Sequence, residues 1–293
     1  MSYAKLSDIL RLSEKEQKEF WEVVCGEDVK ERDVTKEESF ETMRSMYLAM
    51  RNADTLYDAN ARSVSQLSGG DGAKLEAFRK SGNTLVGPFL AKVMEKAVKM
   101  AESNACMKRI VAAPTAGSCG VIPAVLLSFE EEEKRAEDDM VKALFVAAGI
   151  GEVIAESASI AGAEGGCQAE IGTASAMAAG ALAYLLGGDN DCIVHAAALA
   201  IKNMLGLTCD PVAGLVEVPC VKRNVSGAVN AVSSAELAIA GVRSKVAPDD
   251  VIEVMRRTGN LIPSCLRETS QEGLALTPLA NKVKQRMKDH PSK

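Results

Sequence analysis

Residues 162–205 read GAEGGCQAEIGTASAMAAGALAYLLGGDNDCIVHAAALAIKNML. The stretch opens on a glycine-rich loop. It then runs through 174–186 with no charged side chain, breaks at Gly187-Gly-Asp-Asn, and resumes over 191–205 until Gly206 stops it. Alanine dominates both runs, and alanine is the strongest helix former. β-Branched residues, which favour strands, are sparse here. The spacing predicts two helices joined by a tight turn. The small residues Ala174, Ser175, Ala178, Ala179 and Gly180 predict a helix that its neighbours approach closely. The charge-free run is too short to span a bilayer.

Working outward, the same reading recurs. A helix is predicted from a cap at Ser13 to about Val24, and an amphipathic one over 35–60 with Thr35 at its start. Further helices are expected after Ser81 through Ser103, with Pro88 in the early turns, and from the 114–120 segment through Leu127. Others are expected over 144–161, 224–241 and 248–258, with a last one after Pro278. Residues 68–72, Ser-Gly-Gly-Asp-Gly, read as a loop. The acidic run 130–139 reads as a solvated helix end. No repeat, linker or composition break divides the chain. The expectation is an all-α fold: one helical domain over 1–293, with a polar helical extension over about 1–60 and a core over about 61–280. Its glycine-rich loops are expected to converge on one site.

Composition narrows the function classes. Of 293 residues 47% are hydrophobic but only 4% aromatic, which suits packed helices better than a sandwich. A net charge of −6 gives no basic surface for nucleic acid or an anionic membrane. The first residues are charged throughout and carry no apolar signal core, so a cytoplasmic protein is expected. There is no dinucleotide fingerprint, no phosphate-binding P-loop and no G-x-S-x-G elbow. Two histidines, His195 in an Ala-rich helix and His290 near the end, leave little for a triad or a histidine-rich metal site.

Eight cysteines are present without a CxxC pair, which excludes a zinc ribbon and a thioredoxin-like motif. Cys25, Cys192 and Cys265 read as packing residues. Cys167, Cys209 and Cys220 differ, because each falls on irregular backbone at a helix end. Loop thiolates are free to converge, and a helix N-terminus lowers the thiol pKa as ligation requires. Three thiols without histidine suit a soft metal site, with iron–sulfur the leading candidate. A structural triplet is the alternative at this stage. Four glycine-rich segments, 81–87, 114–120, 162–170 and 209–220, flank predicted helix ends. Such ends attract anions.

Four motifs carry a resemblance: SGNT at 81–84, RIVAAPTAGSCG at 109–120, GAEGGCQAE at 162–170 and CDPVAGLVEVPC at 209–220. Together they resemble the iron–sulfur-dependent L-serine dehydratases, and the match runs from about Ser68 to Pro278. The resemblance implies a [4Fe–4S] cluster held by Cys167, Cys209 and Cys220. It implies conversion of L-serine to pyruvate and ammonia, by dehydration at an iron that lacks a protein ligand and acts as a Lewis acid. The chain is similar to the alpha part alone, so a separate beta subunit is expected to complete a heteromeric enzyme. In the family the catalytic base is attributed to a histidine of the beta part. No histidine here matches that motif, so no catalytic base is assigned and the alpha chain alone is expected to be inactive. Some members also carry a cysteine near the C-terminus. This sequence ends Asp-His-Pro-Ser-Lys, so inhibition by such a tail is not expected.

Within that frame Ser81, Asn83 and Thr84, with Thr115, Gly117 and Ser118, are the candidate substrate contacts. Glu164 or Glu170 is a candidate partner for the substrate ammonium. Lys222 and Arg223 are candidates to offset cluster charge. Cysteine desulfidation and threonine dehydration use the same chemistry and are alternatives. A pyridoxal-phosphate dehydratase would need strand–helix alternation that is missing. A helical scaffold or regulatory subunit is the non-enzyme alternative.

Overall fold

The computed structural model describes residues 3–289, so His290 and the end of the tail lie outside the described residues. Its helices are α1 Leu6–Glu16, α2 Phe20–Arg32, α3 Lys36–Thr55, α4 Asp71–Lys80, α5 Gly87–Ala105, α6 Val121–Glu133, α7 Glu137–Ser157, the single turn α8 Gly162–Gly165, α9 Thr173–Leu185, α10 Asn190–Met204, α11 Cys220–Ile239, α12 Pro248–Leu261 and α13 Pro278–Asp289. Among the described residues there is no strand, only an isolated parallel bridge between Cys209 and Arg267. The all-α expectation holds, as one domain. No described helix is long and apolar enough to cross a membrane.

The packing centre is α9. Every residue of it except Tyr184 is buried, and α6, α7, α10 and α11 surround it. Its small side chains make that possible. A Cβ built on Gly180 would lie 2.2 Å from Ile150 Cδ1 of α7, so only glycine allows this approach. One buried polar knot ties three helices. Asn230 of α11 donates from Nδ2 to Ser175 Oγ of α9 at 2.8 Å and to the Ala200 carbonyl of α10 at 2.9 Å. Ser175 in turn donates to the Gly227 carbonyl at 2.8 Å. The knot satisfies polar groups that α9 would otherwise strand in an apolar centre.

Several predicted boundaries move, α7 for one running Glu137–Ser157 instead of 144–161, and three of the shifts have structural consequences. The helix expected from Ser13 to Val24 is broken: Gln17 takes a left-handed φ of 53° and α2 restarts at Phe20. Ser13 closes α1 instead of opening a helix, donating to the Lys18 carbonyl. The break lets Leu6 and Ile9 of α1, and Phe20 and Trp21 of α2, enter the same core from different directions. Tyr47 and Met50 of α3 join them, so the polar first sixty residues contribute to the main core. Thr35 caps α3 as expected, its Oγ1 accepting from Glu38 N at 3.1 Å while Glu38 Oε2 accepts from Thr35 N at 2.8 Å. That helix stops at Thr55.

The second shift is α4, which starts inside the segment read as a loop. Its cap comes from far along the chain. The Glu102 carboxylate accepts from Gly69 N, Asp71 N and Gly72 N at 3.1, 2.9 and 3.1 Å. Those amides are the orphan donors of a helix start. A cap supplied by tertiary structure leaves no local signal.

Third, α11 begins at Cys220 rather than Asn224. Pro219 supplies the residue before the first turn, and Asn224 sits inside the helix facing back toward its start. This shift bears directly on the site.

Candidate functional site

Cys167 sits at the end of a tight loop. Gly166 before it has φ 74°, and a Cβ there would lie 2.7 Å from the Leu207 carbonyl oxygen. The Gly-Gly-Cys sequence therefore lets this loop lie directly on the segment that leads to Cys209. Gln168 bolts the two together: its backbone N donates to the Leu207 carbonyl at 3.0 Å. Its side chain accepts from Gly206 N at 2.9 Å and donates to the Met255 carbonyl of α12 at 2.8 Å. Residues Gln168–Gly172 then form one widened, π-helical turn that carries Glu170 before α9 begins.

Cys209 is held by backbone on both sides. Its N–H donates to the Leu266 carbonyl at 2.8 Å and its own carbonyl accepts from Glu268 N at 2.6 Å. Cys220 is the first residue of α11, at the positive end of the helix. All three cysteines are buried, at 2, 2 and 8% exposure, so no bulk water competes at the sulfurs.

The structure brings two of the sulfurs together. Cys167 Sγ, Cys209 Sγ and a Glu170 carboxylate oxygen all lie within 4.8 Å of one another. Cys220 is outside that set but near enough that the Cys167 charge pushes on its thiol. The Cys209 thiol donates to Cys167, and with the Arg223 guanidinium beside it holds Cys167 below the usual thiol range despite burial. Cys209 is pushed up by the same hydrogen bond and by burial. Burial, with the Cys167 charge second, pushes Cys220 up to about 12. Burial also pushes the Glu170 carboxyl up, against the opposing hydrogen bond from Thr115.

The chain of contacts continues outward from Glu170. Thr115 Oγ1 donates to Glu170 Oε1 at 2.8 Å and lies 3.0 Å from Ser118 Oγ. Glycines leave room for the carboxylate. A Cβ on Gly162 would lie 2.9 Å from Glu170 Oε2 and 3.1 Å from Cys209 Sγ, and one on Gly117 would lie 3.2 Å from Glu170 Oε1. Asn224, fully buried, links this segment to the Cys220 turn. Its Oδ1 accepts from Gly120 N at 2.8 Å, while Nδ2 donates to the Gly117 and Cys220 carbonyls at 2.8 and 3.0 Å.

Thr115, Gly117 and Ser118 therefore stand at the cysteine site. Residues 81–84 do not join it. Ser81 closes α4 by donating to the Phe78 carbonyl at 2.7 Å, Asn83 is exposed, and among the described residues no hydrogen bond ties Ser81, Asn83 or Thr84 to the cysteines. Of the two candidate glutamates, Glu164 is exposed and accepts from Ser159, whereas Glu170 is at the sulfurs. Of the two cations, Lys222 pairs with Asp71 at 2.7 Å and only Arg223 reaches a cysteine. His195 lies within α10 with Nε2 3.5 Å from Asp191. Cys25 and Cys192 belong to the apolar core.

A family model described as serine dehydratase alpha chain matches residues 15–275. The chain belongs to that family. It is 41% identical to the probable L-serine dehydratase, alpha chain, of Bacillus subtilis (strain 168), over 97% of this chain and 95% of that one. It is also 41% identical to the L-serine dehydratase, alpha chain, of Peptoniphilus asaccharolyticus, over 90% of this chain and 91% of that one. The L-serine dehydratase of Helicobacter pylori is 37% identical over 94% of this chain, which there spans 62% of a longer protein. Every residue of the serine dehydratase alpha chain site described above falls inside the matched stretch. Sequence reasoning missed Gln168, Asn224 and Asp210, whose carboxylate accepts from Arg223 Nη2 at 3.1 Å and from Leu274 N at 2.9 Å. Each is buried and holds its place through partners distant in sequence, and only Asn224 had a local hint, its position one turn after Cys220.

Proposed function

We propose that this chain is the catalytic alpha chain of an L-serine ammonia-lyase, turning L-serine into pyruvate and ammonia, with a [4Fe–4S] cluster held by Cys167, Cys209 and Cys220. The observation that carries the proposal is the meeting of Cys167 and Cys209 beside Glu170. These residues come from separate glycine-rich loops within a chain matched end to end by proteins named L-serine dehydratase, alpha chain.

The donor set fits the group. Three buried thiols without histidine are soft ligands, Arg223 offsets negative charge, and the bare Cα atoms of Gly162 and Gly117 let the Glu170 carboxylate lie beside the sulfurs. When bound, a cluster held by three thiolates supplies an iron without a protein ligand, which acts as a Lewis acid toward the substrate hydroxyl.

The other roles fall to side chains. Glu170, aimed by Thr115, faces the sulfurs and would pair with the substrate ammonium, whose charge would counter the upward push of burial on the carboxyl. Thr115 and Ser118 are engaged with Glu170 and each other, so their first task is to orient that carboxylate. Arg223, which donates to Cys167 Sγ, would offset negative charge on that sulfur. A beta chain would supply the base that takes the Cα proton, as the family resemblance implies. The same arrangement would serve threonine or cysteine, and comparing kcat/KM for the three amino acids decides among them.

Iron and sulfide assayed on anaerobically prepared protein, followed by pyruvate release from L-serine with the beta chain added, test the reading. Near-stoichiometric cluster and beta-dependent pyruvate are expected. Protein that binds no iron while its cysteines stay reduced would overturn it.

A further inference from the structure

Three separate stretches of chain supply the cysteines, and one side chain touches all three. Arg223 lies on α11, one turn beyond Cys220. Its Nη1 donates to Cys167 Sγ at 3.1 Å and to the Thr208 carbonyl at 2.6 Å, and its Nη2 donates to Asp210 Oδ1 at 3.1 Å. Thr208 and Asp210 flank Cys209. A guanidinium on the helix of Cys220 thus grips the sulfur of Cys167 and both neighbours of Cys209.

The grip is braced from behind. Asp210 Oδ2 accepts from Leu274 N at 2.9 Å. At Gly273, φ is 67° and a Cβ would lie 2.5 Å from Asp210 Oδ2, so the backbone closes tightly on that carboxylate. The Arg223 and Asp210 side chains are 16 and 9% exposed. Arginine suits this position because its planar fork donates in several fixed directions at once, whereas a lysine ammonium is a point charge on a flexible stem. An ion pair serving packing alone would not spend a donor on a sulfur.

We infer that Arg223 is a positioning residue for the sulfur site, with Asp210 aiming its guanidinium so that it sets the spacing of the three cysteine segments and remains hydrogen-bonded to Cys167 when that sulfur binds metal. The inference rests on the three cysteines being metal ligands. Hydrogen bonds to ligating atoms orient the ligands and tune the metal, and their loss typically costs 10- to 100-fold in metal affinity.

The test uses the full chain reconstituted anaerobically with ferrous iron and sulfide, then challenged with an excess of an iron chelator. Bleaching of the sulfur-to-iron absorption gives the rate of cluster loss. Wild type is compared with Arg223→Gln, Arg223→Lys, Asp210→Asn and Arg44→Gln. The last removes a comparably paired arginine on α3, bonded to Glu41, Glu137 and Asp138, far along the chain from the cysteines.

Arg223→Gln is expected to lose cluster about 10- to 100-fold faster than wild type. Asp210→Asn should fall between, because its arginine keeps its charge but loses its aim. Arg223→Lys should recover part of the loss, and Arg44→Gln should match wild type. Thermal melts of the metal-free proteins separate folding from positioning: the expected pattern is faster cluster loss in Asp210→Asn and Arg223→Lys than in Arg44→Gln at equal melting temperature. If Arg223→Gln does not fold, these two variants decide the question. Wild-type rates in the Arg223 and Asp210 variants would overturn the inference while leaving the cysteine assignment intact. Wild-type protein that takes up no iron would instead overturn the assignment itself.

Discussion

The hydroxyl of Thr115 donates to Glu170 Oε1 at 2.8 Å, joining the turn before α6 to the turn before α9. That bond fixes a half-buried carboxyl within 4.8 Å of two buried cysteine sulfurs. Thr115 also meets Ser118 in its own turn, but its bond to Glu170 spans 55 residues of chain. Together they set a carboxyl and a hydroxyl beside the cysteine sulfurs.

Glu170→Gln keeps the size of the side chain and removes its charge. With the beta chain present, KM for L-serine should rise about tenfold or more, because a charge-assisted hydrogen bond contributes roughly 1.5–3 kcal/mol. Iron content should be unchanged, which separates this residue from the ligands. An unaltered KM in steady-state pyruvate assays would remove Glu170 from substrate binding.

Replacing Cys167, Cys209 or Cys220 with alanine should each reduce bound iron and sulfide to near background. Cys25→Ala should retain them, since that thiol packs in the apolar core. Parallel iron and sulfide analysis of the four proteins is the check, and a cluster surviving in Cys220→Ala would limit the ligand set to the two sulfurs that meet.

Gly120 has no space for a methyl group. A Cβ there would lie 2.5 Å from the Ala97 carbonyl oxygen and 3.0 Å from Asn224 Oδ1. The first neighbour is helical backbone and cannot step aside. Gly120→Ala should destabilise the fold by about 1–3 kcal/mol, as overpacked sites do. It should also loosen the Cys220 turn through Asn224. Urea denaturation gives the first effect; a variant as stable as wild type would contradict the packing described.

Glu76 provides a pH signature away from the site. Hydrogen bonds from Lys80 first and Lys99 next lower its carboxyl to about 2. A group whose pKa falls on folding stabilises the protein above its unfolded value and loses that contribution as pH drops through the folded value. The contribution should therefore be complete at neutral pH and fade between about 4.5 and 2. Solvent screening at this half-exposed pair reduces it to roughly 1 kcal/mol. Glu76→Gln should cost about that much at pH 7 and little near pH 2, read from denaturation midpoints at each pH.

Much of this architecture is legible along the chain. The alanine runs of α9 and α10, the stop at Gly187, the Thr35 capping box and the prolines that open α5 and α12 are local signals, and the helices form where those signals stand. The Gly-Gly-Cys and Pro-Cys contexts singled out Cys167 and Cys220 with Cys209, and the structure brings Cys167 and Cys209 together. What escaped were features whose causes lie elsewhere in the chain. The start of α4 depends on the carboxylate of Glu102, and the break after α1 depends on two apolar faces seeking one core. Residues 81–84 carry the composition of a binding loop, yet they hydrogen-bond locally and leave the cysteines to Thr115 and Glu170.

Local chemistry thus determined that this protein is helical, where most of its helices run, and which three thiols fall at or beside helix ends. It carried no information on which loops would face each other. That was decided when α9 buried itself among α6, α7, α10 and α11, because close packing around a small-residue helix leaves one arrangement of the flanking turns. The choice of Glu170 over Glu164, of Arg223 over Lys222, and of Asp210 as the brace follows from that arrangement. Each turns on distances of a few ångströms between residues far apart in the chain, which only the folded backbone sets.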